Sequence, residues 1–233
     1  DGKITCPESL CVSLCAPHYG IGADGIVLIE RSAVADAKMR HFNKDGSEGQ
    51  MAGNNIRCVA KFLYDKGYLP KNKYEVKIET AGGTRNLFLF LRDGKVSSVA
   101  VNMGKADFSP SSVPAEAKSA EMINYPLTID GKIYSVTCMS VGNPHCVVFE
   151  NEIDALDLAT LGPKFEHCEI FPERINAEFV KVIDKTTLRL RVWERGTGET
   201  LSCGTGACAS AVAACLNGYC KKGEDITVKL VGG

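Results

Sequence analysis

The sequence predicts an α+β chain built from two pseudo-symmetric domains. Three observations point there: an internal repeat, period-2 strand patterns between its copies, and a helix closing each copy. The stretch MRHFNKDGSEGQMAGNNIRCVAKFLYDKGY, from Met39, aligns without a gap to LRVWERGTGETLSCGTGACASAVAACLNGY, from Leu190, at an offset of 151 residues. Arg40 falls on Arg191, Glu48 on Glu199, Gly53 on Gly204, Ala60 on Ala211, and Gly67-Tyr68 on Gly218-Tyr219. A period this long is not that of a solenoid, and duplicated domains related by an approximate two-fold axis account for it better.

In both copies a strand runs into a Gly-rich polar loop and then a helix. The first helix places Ile56, Val59, Ala60 and Leu63 on one face, with Gly67 where a C-terminal cap belongs. The second, from about Thr205 to Asn217, is small and apolar on nearly every side, the pattern of a buried helix, and Gly218 ends it. Between the copies, Tyr74, Val76 and Ile78 alternate. Leu87 to Leu91 passes through the turn Asp93-Gly94 into Val96 to Val101, and Asp130-Gly131 is a second hairpin signal. The Ser- and Pro-rich stretch at Ser109–Pro114 is the best linker candidate, which divides the chain into domains 1–110 and 111–233.

Composition narrows the function classes. The 233 residues carry a net charge of −1 with no basic stripe, which argues against nucleic acid or an anionic membrane surface as partner. The apolar stretches are too short to span a bilayer, and no signal peptide is visible. Eleven cysteines without CxxC spacing, several in apolar contexts (Cys58, Cys146, Cys208, Cys215), fit neither a disulfide scaffold nor a zinc site. They read as a reduced, cytoplasmic chain whose thiols are mainly small core hydrophobes.

Each repeat copy delivers a residue to the front of its helix: Ala52 before Gly53-Asn54, and Cys203 before Gly204-Thr205. A helix front offers unpaired N–H groups and partial positive charge, suited to a carboxylate or a thiolate. Two such sites facing one ligand would suit inversion of an amino-acid α-carbon, in which a proton leaves one face and another returns to the opposite face. Taken alone, Cys203 also reads as a buried thiol, and with alanine at the partner position the repeat argues for a one-thiol site.

Five stretches carry a resemblance: GIGADG (Gly20–Gly25), FNKDGSEGQMAGN (Phe42–Asn54), GNPH (Gly142–His145), FPERIN (Phe171–Asn176) and WERGTGETLSCGTGAC (Trp193–Cys208). In order and over nearly the whole chain, they resemble the diaminopimelate epimerase family. That resemblance implies an isomerase interconverting LL- and meso-diaminopimelate, on the route to lysine and peptidoglycan cross-links, with no pyridoxal phosphate, other cofactor or metal. It implies domains that are each a mostly antiparallel sheet or barrel around a central helix, with the active site in the cleft between them. Its partner is a small-molecule amino acid, and a homodimer is compatible with it.

By motif, Cys203 is similar to one catalytic thiol, and Ala52 stands in the slot of the other. His145 and Glu194 resemble the groups that assist proton transfer. Asn43, Asn143, Asn176 and Arg195 resemble those holding the distal amino-acid end of the substrate. The N–H groups at Gly53, Asn54, Gly204 and Thr205 would bind the carboxylate at the reacting centre. Apart from the family, Asn43 also reads as a turn former beside Asp45-Gly46, His145 as a loop histidine, and Arg195 and Glu194 as a solvated pair. With Ala52 in place, the resemblance implies a chain that binds substrate without epimerising it at a useful rate. The family's opening Gly-Asn-Asp-Phe-like motif and its strands beyond Gly232-Gly233 do not occur in this sequence. A racemase of another amino acid, such as histidine, and a natural substrate-binding pseudo-enzyme are the competing readings.

Overall fold

Pro7 sits in the first turn of a helix over Pro7–Cys15 (α1), where its missing N–H costs nothing. The computed structural model describes residues 4–49 and 53–233, so Ala52, expected to be a site position, lies outside the described residues. The chain divides into two units, Asp1–Met103 and Gly104–Gly233.

In the first unit α1 buries Cys11 and Cys15 against Phe42. Strands β1 (Gly25–Glu30), β2 (Ala37–Asn43), β3 (Glu48–Gly49), β4 (Glu75–Thr80), β5 (Gly83–Arg92) and β6 (Lys95–Val101) form a sheet ordered β1-β2-β4-β5-β6, with β3 paired to β2. All its pairings are antiparallel except β2 with β4. Helix α2 (Gly53–Asp65) lays Ile56, Val59, Ala60 and Leu63 onto Val76, Ile78, Leu87 and Val96, as its period required. Full burial of Ile56 alone stabilises this unit by about 2–3 kcal/mol. Cys58 is a correction to the reading of its context: two residues from Ile56, it falls on the far side of the helix and is exposed. Asp93 and Gly94 turn with φ of 53° and 74°, Asp130 and Gly131 with 50° and 78°, the doubly positive geometry of tight hairpins.

The second unit holds β7 (Tyr125–Ile129), β8 (Lys132–Ser140), β9 (Pro144–Phe149), helix α3 (Leu158–Glu166), β10 (Asn176–Asp184), β11 (Thr187–Glu194), β12 (Gly198–Thr200), helix α4 (Gly204–Leu216) and β13 (Thr227–Lys229). Its sheet runs β12-β11-β10-β9-β8-β7, with β13 parallel to β11. The two faces of this sheet have different covers. Cys146, Val148, Ala177 and Phe179 pack with Leu158 and Phe165 of α3, whereas Val147, Val180, Leu188 and Leu190 pack with Ala209, Ala213 and Ala214 of α4. The small side chains of α4 let its backbone come close to the sheet, which is why an almost uniformly apolar helix belongs there.

The duplication runs further back than the matching sequence, which began at Met39 and Leu190. Helices α1 (Pro7–Cys15) and α3 (Leu158–Glu166) stand at the same offset, as do α2 (Gly53–Asp65) and α4 (Gly204–Leu216). Strand register repeats too: Ile26↔Phe42 and Val27↔His41 in the first unit correspond to Ala177↔Trp193 and Glu178↔Val192 in the second.

Candidate active site

The second unit gathers its titratable groups by strand alternation. In β9 and β10, His145 shares a face with Val147, and Glu178 with Val180; both therefore point to the side covered by α4. The pairing of β9 with β10 sets Asn176 beside His145 and Glu178 beside Val147.

His145 and Glu178 are both 0% exposed, and His145 Nδ1 lies 2.6 Å from Glu178 Oε1. On its other side His145 Nε2 lies 2.9 Å from Asn143 Oδ1. An amide oxygen can only accept, so Nε2 carries a hydrogen in this arrangement. Burial pushes the Glu178 carboxyl above its ordinary value, against the opposing pull of His145. Oε2 of Glu178 is buried without a hydrogen-bond partner.

Cys203 is the N-cap of α4, and its Sγ accepts the Gly206 N–H at 3.4 Å and lies 3.4 Å from Thr205 Oγ1. These contacts favour a thiolate. Burial, followed by the negative charges of Glu194 and Glu178, outweighs them and pushes the thiol up to about 12. Cys203 is thus held at rest as a thiol. Glu194, at the end of β11, accepts a hydrogen bond from the Thr200 hydroxyl across the β11–β12 turn. A Cβ on Gly206 would sit 2.9 Å from Glu178 Oε1 and 3.3 Å from Cys203 Sγ, so the second glycine of GTG leaves room for both.

Asn176 uses its side chain on two backbone segments, donating from Nδ2 to the Pro144 carbonyl at 2.7 Å and accepting the Arg195 N–H at 2.9 Å. It ties the His145 strand to the Arg195 turn. Arg195 is exposed and donates from Nη1 to the Glu173 carbonyl at 3.2 Å. The same turn is gripped by Glu166, which accepts Trp193 Nε1–H at 2.7 Å and Gly196 N–H at 2.8 Å. Trp193 in turn lies flat on Gly162, where a Cβ would stand 2.2 Å from Trp193 Cδ2.

In the first unit, Gly53 and Asn54 open α2, and Asn54 Oδ1 accepts from the Arg57 guanidinium. Asn43 ends β2; its Nδ2 donates to Ser47 Oγ at 3.0 Å, and its carbonyl takes the Cys11 thiol at 3.0 Å.

Sequence reading did not single out Glu178 or Glu166. For Glu178 a signal existed: in Glu-Phe-Val-Lys-Val the glutamate alternates onto the face of Val180 and Val182, a charge leading an apolar strand side. Glu166 had no such signal, because its partners lie in another segment. Among the described residues no cluster of three or more His, Cys, Asp or Glu side chains forms a metal ligand set, and no helix is long and apolar enough to cross a membrane.

Comparison with solved structures defines the fold as one found in amino-acid racemases and epimerases. A probable proline racemase from Agrobacterium radiobacter K84 superposes with a TM-score of 0.71 at 19% identity, over 97% of this chain and 70% of that one. A hydroxyproline epimerase from Agrobacterium vitis does so with a TM-score of 0.71 at 19% identity, over 96% and 68%. The sequence model of diaminopimelate epimerase matches residues 2–109 and 137–233. The diaminopimelate epimerase of Acetivibrio thermocellus is 49% identical over 97% of this chain and 80% of its own length. That of Methanococcus maripaludis strain S2 is 46% identical, over 99% and 82%. The chain belongs to the diaminopimelate epimerase family.

Proposed function

We propose that this chain is built to interconvert LL- and meso-diaminopimelate, with Cys203 as proton carrier on one face of the α-carbon and the opposite carrier missing at Ala52. The observation that carries the reading is Cys203: a buried N-cap thiol at the front of α4, set beside Glu194 and the His145–Glu178 pair, in a chain of this family. As a thiolate, Cys203 takes the α-hydrogen as a proton. The C–H bond breaks, an S–H bond forms, and the electron pair left on the α-carbon spreads into the adjoining carboxylate. N–H groups at Gly204 and Thr205, and at Gly53 and Asn54, are assigned to that carboxylate. His145 and Glu194 are assigned to assist the proton's movement. Asn43, Asn143, Asn176 and Arg195 are assigned to the distal amino-acid end, where a guanidinium can grip a carboxylate bidentately.

Inversion then needs a proton delivered to the opposite face. Ala52 has no transferable proton, so the proton at the α-carbon returns to the face it left. The expected behaviour is solvent-deuterium exchange into one isomer with retained configuration, and epimerisation only in the Ala52→Cys protein. Measuring deuterium incorporation and stereochemistry on both isomers, with both proteins, tests this. Failure of the Ala52→Cys protein to exchange or invert either isomer overturns the assignment. A substrate-binding protein without turnover is the second reading, favoured by Ala52 itself; binding of both isomers with no exchange by either protein would select it. The cysteines form no disulfide among the described residues, which supports a cytoplasmic location.

A further inference from the structure

We propose that Glu178 is a positioning residue for this reaction, acting through His145: its carboxyl shares one proton with the imidazole and so sets the charge and orientation of His145 beside Cys203. The proposal rests on the epimerase reading above. Its first support is convergence: the Glu178 carboxyl that contacts the His145 imidazole also reaches the first turn of α4, where Gly206 admits both Glu178 Oε1 and Cys203 Sγ.

A second support comes from the duplication. At the same register in the first unit stands Val27, paired with His41 as Glu178 is paired with Val192. The strand arrangement therefore accepts an aliphatic side chain there. A fully buried carboxyl with one oxygen unpartnered is a costly way to fill that position, and it loses that cost only through a partner that needs it.

The chemistry is specific. Nε2 of His145 already carries a hydrogen toward Asn143, so the short contact between Nδ1 and Oε1 holds the one remaining proton. Whichever atom holds it, the pair is neutral, and the imidazole keeps one ring orientation. Without the carboxyl, His145 either carries an uncompensated charge or loses its second proton. Either change alters the surroundings in which Cys203 gives up and recovers its own. The titratable groups facing Glu178 are His145 from β9, Glu194 from β11 and Cys203 from the front of α4, whereas the Cys146 thiol lies on the other face of the sheet.

The test has a kinetic and a spectroscopic arm. In the Ala52→Cys protein, adding Glu178→Gln is expected to lower kcat about 100-fold, with KM changed less than about 3-fold, and to displace the pH profile of kcat. In the chain as it stands, proton and nitrogen-15 NMR of the imidazoles is expected to show a solvent-protected, strongly hydrogen-bonded Nδ1 proton on His145, lost in Glu178→Val. Unchanged kcat and pH profile in Glu178→Gln overturn the proposal, as does absence of that proton signal in the unmutated chain, which needs no variant to fold. Should the Ala52→Cys protein with Glu178 intact fail to epimerise, the epimerase reading fails, and the NMR arm still decides whether Glu178 holds His145.

Discussion

Arg191 clasps Glu199 through Nε at 2.8 Å and Nη2 at 3.1 Å, and Arg40 clasps Glu48 at the repeated position through the same two nitrogens, each at 2.8 Å. Both pairs bridge the strand before a polar turn to the short strand after it, β2 to β3 and β11 to β12, and so brace that turn. Arg191 does more than Arg40, since its Nη1 also donates to the carbonyls of Ile153 at 2.6 Å and Leu156 at 2.9 Å. Arg191→Ala should therefore cost about 1–3 kcal/mol by taking the donor from the Leu156 carbonyl and leaving that of Ile153 with the Leu156 N–H alone, and Arg40→Ala under about 1 kcal/mol, as befits a solvent-screened pair. Urea unfolding of the two variants checks the order, and equal losses would refute it.

The thiol of Cys203 should stay protonated through neutral pH. Its pKa is pushed up to about 12 by burial and then by Glu194 and Glu178, so removing a negative charge must favour the thiolate. Glu194→Gln is expected to move the midpoint of Cys203 alkylation, followed by peptide mass mapping, to lower pH. The sign for stability follows from the same displacement. A group whose folded pKa is raised contributes fully below its ordinary value of 9.0 and loses that contribution as pH rises toward about 12.

Gly206→Ala is expected to push a methyl group between Glu178 and Cys203. At 2.9 Å and 3.3 Å the new Cβ displaces both side chains. A loss of about 1–3 kcal/mol in stability is expected. Exchange catalysed through Cys203 should fall with it, by at least about 10-fold. Unimpaired deuterium exchange in this variant would show that the close approach of carboxyl and thiol does not matter.

Glu166 offers a separate handle on the turn that carries Arg195. Glu166→Ala strands the Trp193 and Gly196 N–H groups and should cost about 2–4 kcal/mol. Loosening the turn that carries Arg195 should raise KM in the Ala52→Cys protein more than it lowers kcat. Trp193 is the sole tryptophan, so its fluorescence reports the change directly. An unshifted emission spectrum and unchanged KM would count against the anchor.

Much of this protein was legible in its sequence. The repeat was visible because Arg40, Glu48, Gly53 and their counterparts share identity, and α2 because its apolar residues recur with a helical period. Cys203 and His145 were singled out because short motifs surround them. These are local signals, carried by neighbours along the chain. The extension of the repeat through α1 and α3 was not legible, because Pro7–Cys15 and Leu158–Glu166 share a place in the fold without a shared string of residues. The roles of Glu178, Glu166 and Gly206 were decided only by the tertiary structure. Each depends on which strands pair in which register and on how closely α4 approaches the sheet, and those distances are set between segments far apart in sequence. Cys203 shows the division best. The sequence placed a thiol at a helix front and implied a stabilised thiolate, whereas burial and two carboxylates brought in from β10 and β11 made it a thiol. Desolvation and charge act through space, and only the folded chain brings those groups together.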